Sequence, residues 1–224
     1  MAEFLSDVEV LRKSARDNIE RGAITDAYGA DRERVISVLN GVLATELVCV
    51  LRYKRHFFTA QGINAGPVAR EFLEHATQEQ EHADQVAARI VQLGGEPDFS
   101  PEGLATRSHS EYDASSDLLE MVREDLVAER VAIASYQEIV RWLGDKDPTT
   151  RRVIETILGV EEEHAEDLLT ILQVSLPRST RGVRPARPRS WRRGRRVGAP
   201  PSIRRLRAGR SWWRAARTAP VARL

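Results

Sequence analysis

The chain has 224 residues, 42% of them apolar and 30% charged, enough for one sizeable core without requiring two domains. Its single cysteine, Cys49, excludes an internal disulfide or a multi-thiolate metal site and fits a reducing compartment. The net charge of +1 hides a split: residues 1–176 hold all 33 acids against 18 Lys and Arg, a net of −15, whereas the last 48 residues hold 16 Arg and no acid.

Met1 to Asp7 carries acids where a signal peptide needs positive charge and an apolar run, so a cytoplasmic location is expected. No stretch approaches the length of a membrane span on this reading. Residues 4–22 read as a short amphipathic helix followed by a loop, which places an N-terminal segment at 1–30. Asp31 can cap a first long helix, with Val35, Leu39, Val42, Leu43, Glu46, Leu47, Val50 and Tyr53 on one broad face and an end near Gln61-Gly62. Pro67 suits the first turn of a second helix, which runs to Gly94-Gly95.

Residues 95–112 are rich in Pro, Gly and Ser. A connection this long suits a crossover that places helix three parallel to helix two. The third helix reads from about Ser115 to Leu143. Asp147-Pro148 caps the fourth, and Pro177 ends it. No alternating strand pattern occurs in 1–176, so the class is all-α, with a four-helix bundle over 31–176.

One pattern occurs twice. Glu46 stands in an apolar helical stretch and Glu79-Gln80-Glu81-His82 follows 33 residues later. Glu129 stands in another, and Glu161-Glu162-Glu163-His164 follows after 32. Residues three apart share a helix face, so Glu79 with His82, and Glu161 with His164, can grip one ion together. Any single glutamate in so acidic a body is by default solvated surface. Glu46 and Glu129 fall on apolar stripes, where an unpaired carboxylate is costly and a metal makes burial tolerable. Four carboxylates and two imidazoles converging in a four-helix bundle match a known two-metal ligand set. Hard oxygen donors with imidazole suit iron or manganese. Glu81, Glu162 and Glu163 point elsewhere on their helices. His75, one turn before Glu79, reads as an exposed histidine or an outer partner, and His56 and His109 show no partner pattern. Cys49 reads as a small core residue.

These residues resemble bacterioferritin and its ferritin and Dps-like relatives. The resemblance is carried by Leu39-Asn40, Glu46-Leu47-Val48 and Tyr53, by Glu79 to Asp84 and by Glu161 to His164, and it spans about 31–174. It implies that Glu79 and Glu161 bridge two irons, with Glu46 and Glu129 as terminal carboxylates and His82 and His164 as terminal imidazoles. Tyr53 matches a tyrosine that can supply an electron during oxidation; ordinary packing with a locally bonded hydroxyl is its other reading. Gln80 stands where bacterioferritins carry a haem-binding methionine, so no haem is expected.

The resemblance implies a ferroxidase in an iron-storing homo-oligomeric cage, taking Fe(II) with oxygen or peroxide. Two irons per chain are expected, with manganese as the other metal. The alternatives are a non-storing di-iron or di-manganese peroxidase, catalase or oxygenase, and a Dps-like DNA-protecting protein. Residues 177–224 repeat Arg with Pro and Gly and include Trp191, Trp212 and Trp213, a composition that reads as disordered. That tail is open to two readings, an arm for nucleic acid or an extension never selected to fold.

Overall fold

The computed structural model describes residues 7–63 and 65–175. Its elements are α1 (Val8–Asp17), a 3-10 turn (Ile19–Arg21), α2 (Arg32–Thr59), α3 (Ala65–Gln92), a one-turn α4 (Leu104–Arg107), α5 (Leu118–Leu143) and α6 (Pro148–Ser175). No strand occurs among the described residues. The expectations about Phe4 and Leu5, about Pro177 and about the tail lie outside those residues.

The helix ends follow local chemistry. The Asp31 carboxylate accepts from the Arg34 N–H at 3.1 Å, and Asp117 accepts from the amides of Leu119 and Glu120. Asp147 accepts from the Thr150 amide at 2.9 Å, with Pro148 in the first helical turn. Gly94 and Gly144 stop α3 and α5 at φ of 75° and 50°, which an L side chain adopts only with strain. Two expected boundaries move. The N-terminal helix covers only 8–17 and buries none of its residues, and the third long helix starts at Leu118 because Asp117 is its cap.

Side-chain pairing gives the directions. Along α2, Glu46 and then Tyr53 meet Tyr136 and then Glu129 on α5, and Tyr53 meets His75 on α3 while Glu46 meets His82. Both α3 and α5 therefore run antiparallel to α2 and parallel to each other. Gln78 on α3 meets His164 on α6, and Arg89 meets Thr150, so α6 runs antiparallel to α3. The bundle is thus the all-α, crossover-connected form expected.

The crossover is fastened to α2 from Asn40 to Arg55. Asn40 bonds Glu96 and Asp98, Thr45 accepts from the His109 amide, Arg52 donates to the Glu111 carbonyl, and Arg55 donates to those of Ala114 and Ser115. These side chains satisfy backbone groups that no regular element pairs. One expectation about α2 needs correction. It contains an 18-residue stretch of mean hydropathy 1.8, long and apolar enough to cross a membrane. Its apolar faces line the bundle, where Leu39, Val42, Leu43 and Ala44 are fully covered.

The core has two apolar parts. One joins Leu39 and Leu43 to Ile90, Tyr136 and Ile157; the other joins Tyr53 to Phe72, Met121 and Leu168. Each fully buried leucine or isoleucine contributes about 1.5–3 kcal/mol. Along all four long helices, the residues of the repeated motif fall between these two parts.

Candidate metal centre

The six residues of the repeated motif come together, one or two from each long helix, and each is at most 4% exposed. Two groups of potential donors form, Glu46–Glu79–His82–Glu161 and Glu79–Glu129–Glu161–His164, each with its donor atoms within 4.8 Å of one another. Glu79 and Glu161 belong to both. His82 Nδ1 lies 3.0 Å from Glu161, 3.5 Å from Glu46 and 3.6 Å from Glu79. His164 Nδ1 lies 3.4 Å from Glu79 and Glu161 and 3.9 Å from Glu129.

Whether these residues suit metal ions is answered by their unpaired atoms. Glu46 Oε2, Glu79 Oε1, His82 Nδ1, Glu129 Oε2, both oxygens of Glu161 and His164 Nδ1 are buried with no hydrogen-bond partner. Each of the six side chains supplies at least one. Leaving so many polar atoms unpaired in one place is costly, and a pair of cations at the centre of this donor set satisfies them all. His164 Nε2 lies 2.8 Å from Gln78 Oε1, an acceptor, so Nε2 carries a proton and Nδ1 is the nitrogen left facing the carboxylates.

The electrostatics agree. Burial, then repulsion from Glu79, pushes the Glu46 carboxyl up to about 8. Burial and the charges of Glu79 and Glu161 drive Glu129 well above the usual range. For Glu79, burial and Glu161 act upward, but the close approach of Glu46, His164 and His82 outweighs them and holds it low. Burial would lower His82 and His164, yet the glutamate carboxylates crowded against them raise them to about 12 and about 9. Without cations the cluster keeps protons for neutrality; divalent ions replace them.

Two tyrosines flank the set with the same geometry. Tyr53 on α2 donates to Glu129 on α5, and Tyr136 on α5 donates to Glu46 on α2. Each tyrosine lies seven residues beyond the glutamate of its own helix, so the repeat extends to Glu-x6-Tyr. Burial raises both phenols well above their ordinary values, which keeps them donors. Tyr53 stands out in the sequence through its resemblance, whereas Tyr136 does not. The seven-residue spacing in both halves was the available signal.

The remaining expectations divide. Glu81, Glu162 and Glu163 are exposed. Gln80 bonds Asp84 on the same helix. Cys49 is buried in the core, and burial holds its thiol protonated. His75 is not an exposed histidine: it is 1% exposed, stacks on His164 with centroids 4.0 Å apart, and places Nδ1 3.2 Å from the Tyr53 hydroxyl. His56 does have partners, since it and Arg52 both bond Asp125, and all three are buried.

A family model for the ferritin-like domain matches residues 36–175. The chain belongs to the ferritin-like family. Among curated relatives, the bacterioferritin of Desulfovibrio desulfuricans is 29% identical over 136 residues, covering 59% of this chain and 71% of that protein. The nutrient stress-induced DNA-binding protein of a Synechococcus strain is 32% identical over 132 residues, covering 57% and 74%. Among solved structures, the dodecameric thioferritin of Bacteroides fragilis, a bacterioferritin-related protein, has a TM-score of 0.63 and 32% identity over 65% of this chain and 88% of that one.

Proposed function

We propose that this ferritin-like chain is a cytoplasmic ferroxidase that stores or detoxifies iron. The observation that carries the reading is the doubled donor set, in which all six motif residues hold buried, unpartnered donor atoms. Two Fe(II) ions per chain are the substrate, and each yields one electron to oxygen or peroxide. Glu79 and Glu161, common to both donor groups, bridge the pair. Glu46 with His82 and Glu129 with His164 complete the two ends. Four carboxylates balance two divalent ions, so Fe(II) binds to a neutral assembly. Tyr53 and Tyr136 hold the outer carboxylates in place, and Tyr53 would supply an electron during oxidation. Manganese is the competing metal, and haem is not expected with Gln80 at its position. A closed homo-oligomer fits the reading, given the dodecameric thioferritin relative.

Titration of anaerobic apoprotein with Fe(II) should fill a tight pair of sites, about two ions per chain, before mineral grows. Glu79→Ala or Glu161→Ala should slow oxidation far more than Glu162→Ala. Equal effects from all three would refute the assignment. A monomeric or dimeric particle that oxidises iron without retaining it would instead favour a non-storing peroxidase, catalase or oxygenase. A DNA-protecting role is the second reading, favoured by the Synechococcus relative's name and by the Arg-rich segment 177–224.

A further inference from the structure

Beside the dinuclear centre lies a second group of donors outside the repeated motif. Glu71 and His75 stand one turn apart on α3, Asp167 faces them from α6, and one donor atom of each lies within 4.8 Å of the others. Glu71 is part-exposed and Asp167 exposed, while His75 is buried. The acidic pair has no arginine or lysine partner within salt-bridge distance among the described residues. Burial, then the charges of Asp167 and Glu74, raises the Glu71 carboxyl.

The buried imidazole decides what this group can take. The single hydroxyl proton of Tyr53 goes to Glu129, so the Tyr53 oxygen can only accept from His75, whose Nδ1 is 3.2 Å away. A neutral His75 with its proton on Nδ1 has a bare lone pair on Nε2. That Nε2 is buried, has no hydrogen-bond partner and lies 3.5 Å from Glu71 Oε1. A lone pair facing two carboxylates is repulsive unless a cation sits among them. The same side chain also belongs to a donor group with Glu129 and His164. His75 therefore links a part-exposed carboxylate pair to one end of the dinuclear centre.

We propose that Glu71, His75 and Asp167 form a third, mononuclear site for a divalent cation, from which Fe(II) passes to the His164 end of the centre. This rests on the ferroxidase reading for its cargo, but not for its existence. Oxygen donors with one imidazole at a partly open position suit a hard or borderline divalent ion held in transit.

The test is equilibrium dialysis of the full chain with Co(II), followed by metal analysis and visible absorption. Wild type is compared with Glu71→Gln/Asp167→Asn and with a charge-matched control, Glu162→Gln/Glu163→Gln. The expected result is that the first double variant binds about one Co(II) per chain fewer than wild type, retains the tighter pair, and lacks one component of the absorption. The control should lose none. Equal binding by wild type and the Glu71/Asp167 variant, or the same loss in the control, overturns the third site and leaves the dinuclear reading intact. If the tighter pair never fills but one Co(II) is still lost with Glu71 and Asp167, the third site stands and the ferroxidase reading falls.

Discussion

Tyr136 and Tyr53 show how a single hydroxyl can matter to a site it never enters. Each fixes one oxygen of an outer glutamate and leaves the other, Glu46 Oε2 or Glu129 Oε2, free to face an ion. Groups that orient ligands in this way are worth about 10–100-fold in metal affinity. Tyr136→Phe should therefore weaken Co(II) binding at the centre by about tenfold or more, with helical content unchanged, because the ring still fills its place in the core. Tyr53→Phe should do the same at the other end. Anaerobic Co(II) titration reads both; affinity unchanged in either variant would mean that packing alone positions that glutamate. Arg52 acts on stability instead. Its Nε lies 2.8 Å from Asp125, and both side chains are sealed from solvent. Removing one member of a buried ion pair strands the other, so Arg52→Met should cost about 3–5 kcal/mol in urea unfolding. A loss below about 1 kcal/mol, the size expected of an exposed pair, would show that His56 suffices for Asp125.

Elements were easier to read than the groups that join them. Long periodic stripes and strong caps at Asp31 and Asp147 made the four main helices legible, and the doubled Glu-x-x-His marked the six residues that the fold brings together. Arg52, His56 and Asp125 were missed because a charged residue on a helix normally faces water. Only its place on the same stripe as Cys49 and Tyr53 marks Arg52 as internal. His75 was misread for a related reason: its partners Tyr53, His164 and Glu71 come from three turns of two other helices and its own. The turn α4 has no periodicity to betray it. The α5–α6 joint offers a pH test at this scale. Asp147 caps α6 through Thr150, accepts from Tyr28 in the N-terminal loop, and accepts from Arg89 on α3. Burial acts to raise its carboxyl, but the hydrogen bonds from Thr150 and Tyr28 and the Arg89 charge win, so it is held below its ordinary value. A carboxylate depressed in the folded state contributes stability that is complete above the unfolded value of about 3.9 and disappears as pH falls through the lower folded value. Asp147→Asn should therefore lower the urea midpoint at pH 7, with the gap to wild type closing below about pH 4. A gap that stays constant across that range would assign the loss to geometry rather than charge.

At the scale of the whole molecule the charge split is the dominant fact. Residues 1–176 carry −15 and attract divalent cations while repelling phosphate. The 16 arginines after residue 176 reverse that sign within one chain. Among the described residues, the repeated-motif donors end at His164 and the Glu71–His75–Asp167 group ends at Asp167. Deleting 177–224 should leave helical content, Fe(II) oxidation and Co(II) binding unchanged. It should abolish any DNA binding, because the remaining body has no comparable cationic run. Where the full chain does retard DNA in a gel, the retardation should fall steeply between about 50 and 200 mM salt, since each phosphate contact made by arginine releases a counterion. Both forms are run at the two salt concentrations beside an oxidation assay. DNA retained by the truncated chain would place nucleic-acid contact on the acidic bundle and refute the arm. Oxidation lost on truncation would show that the arginine segment supports the bundle itself.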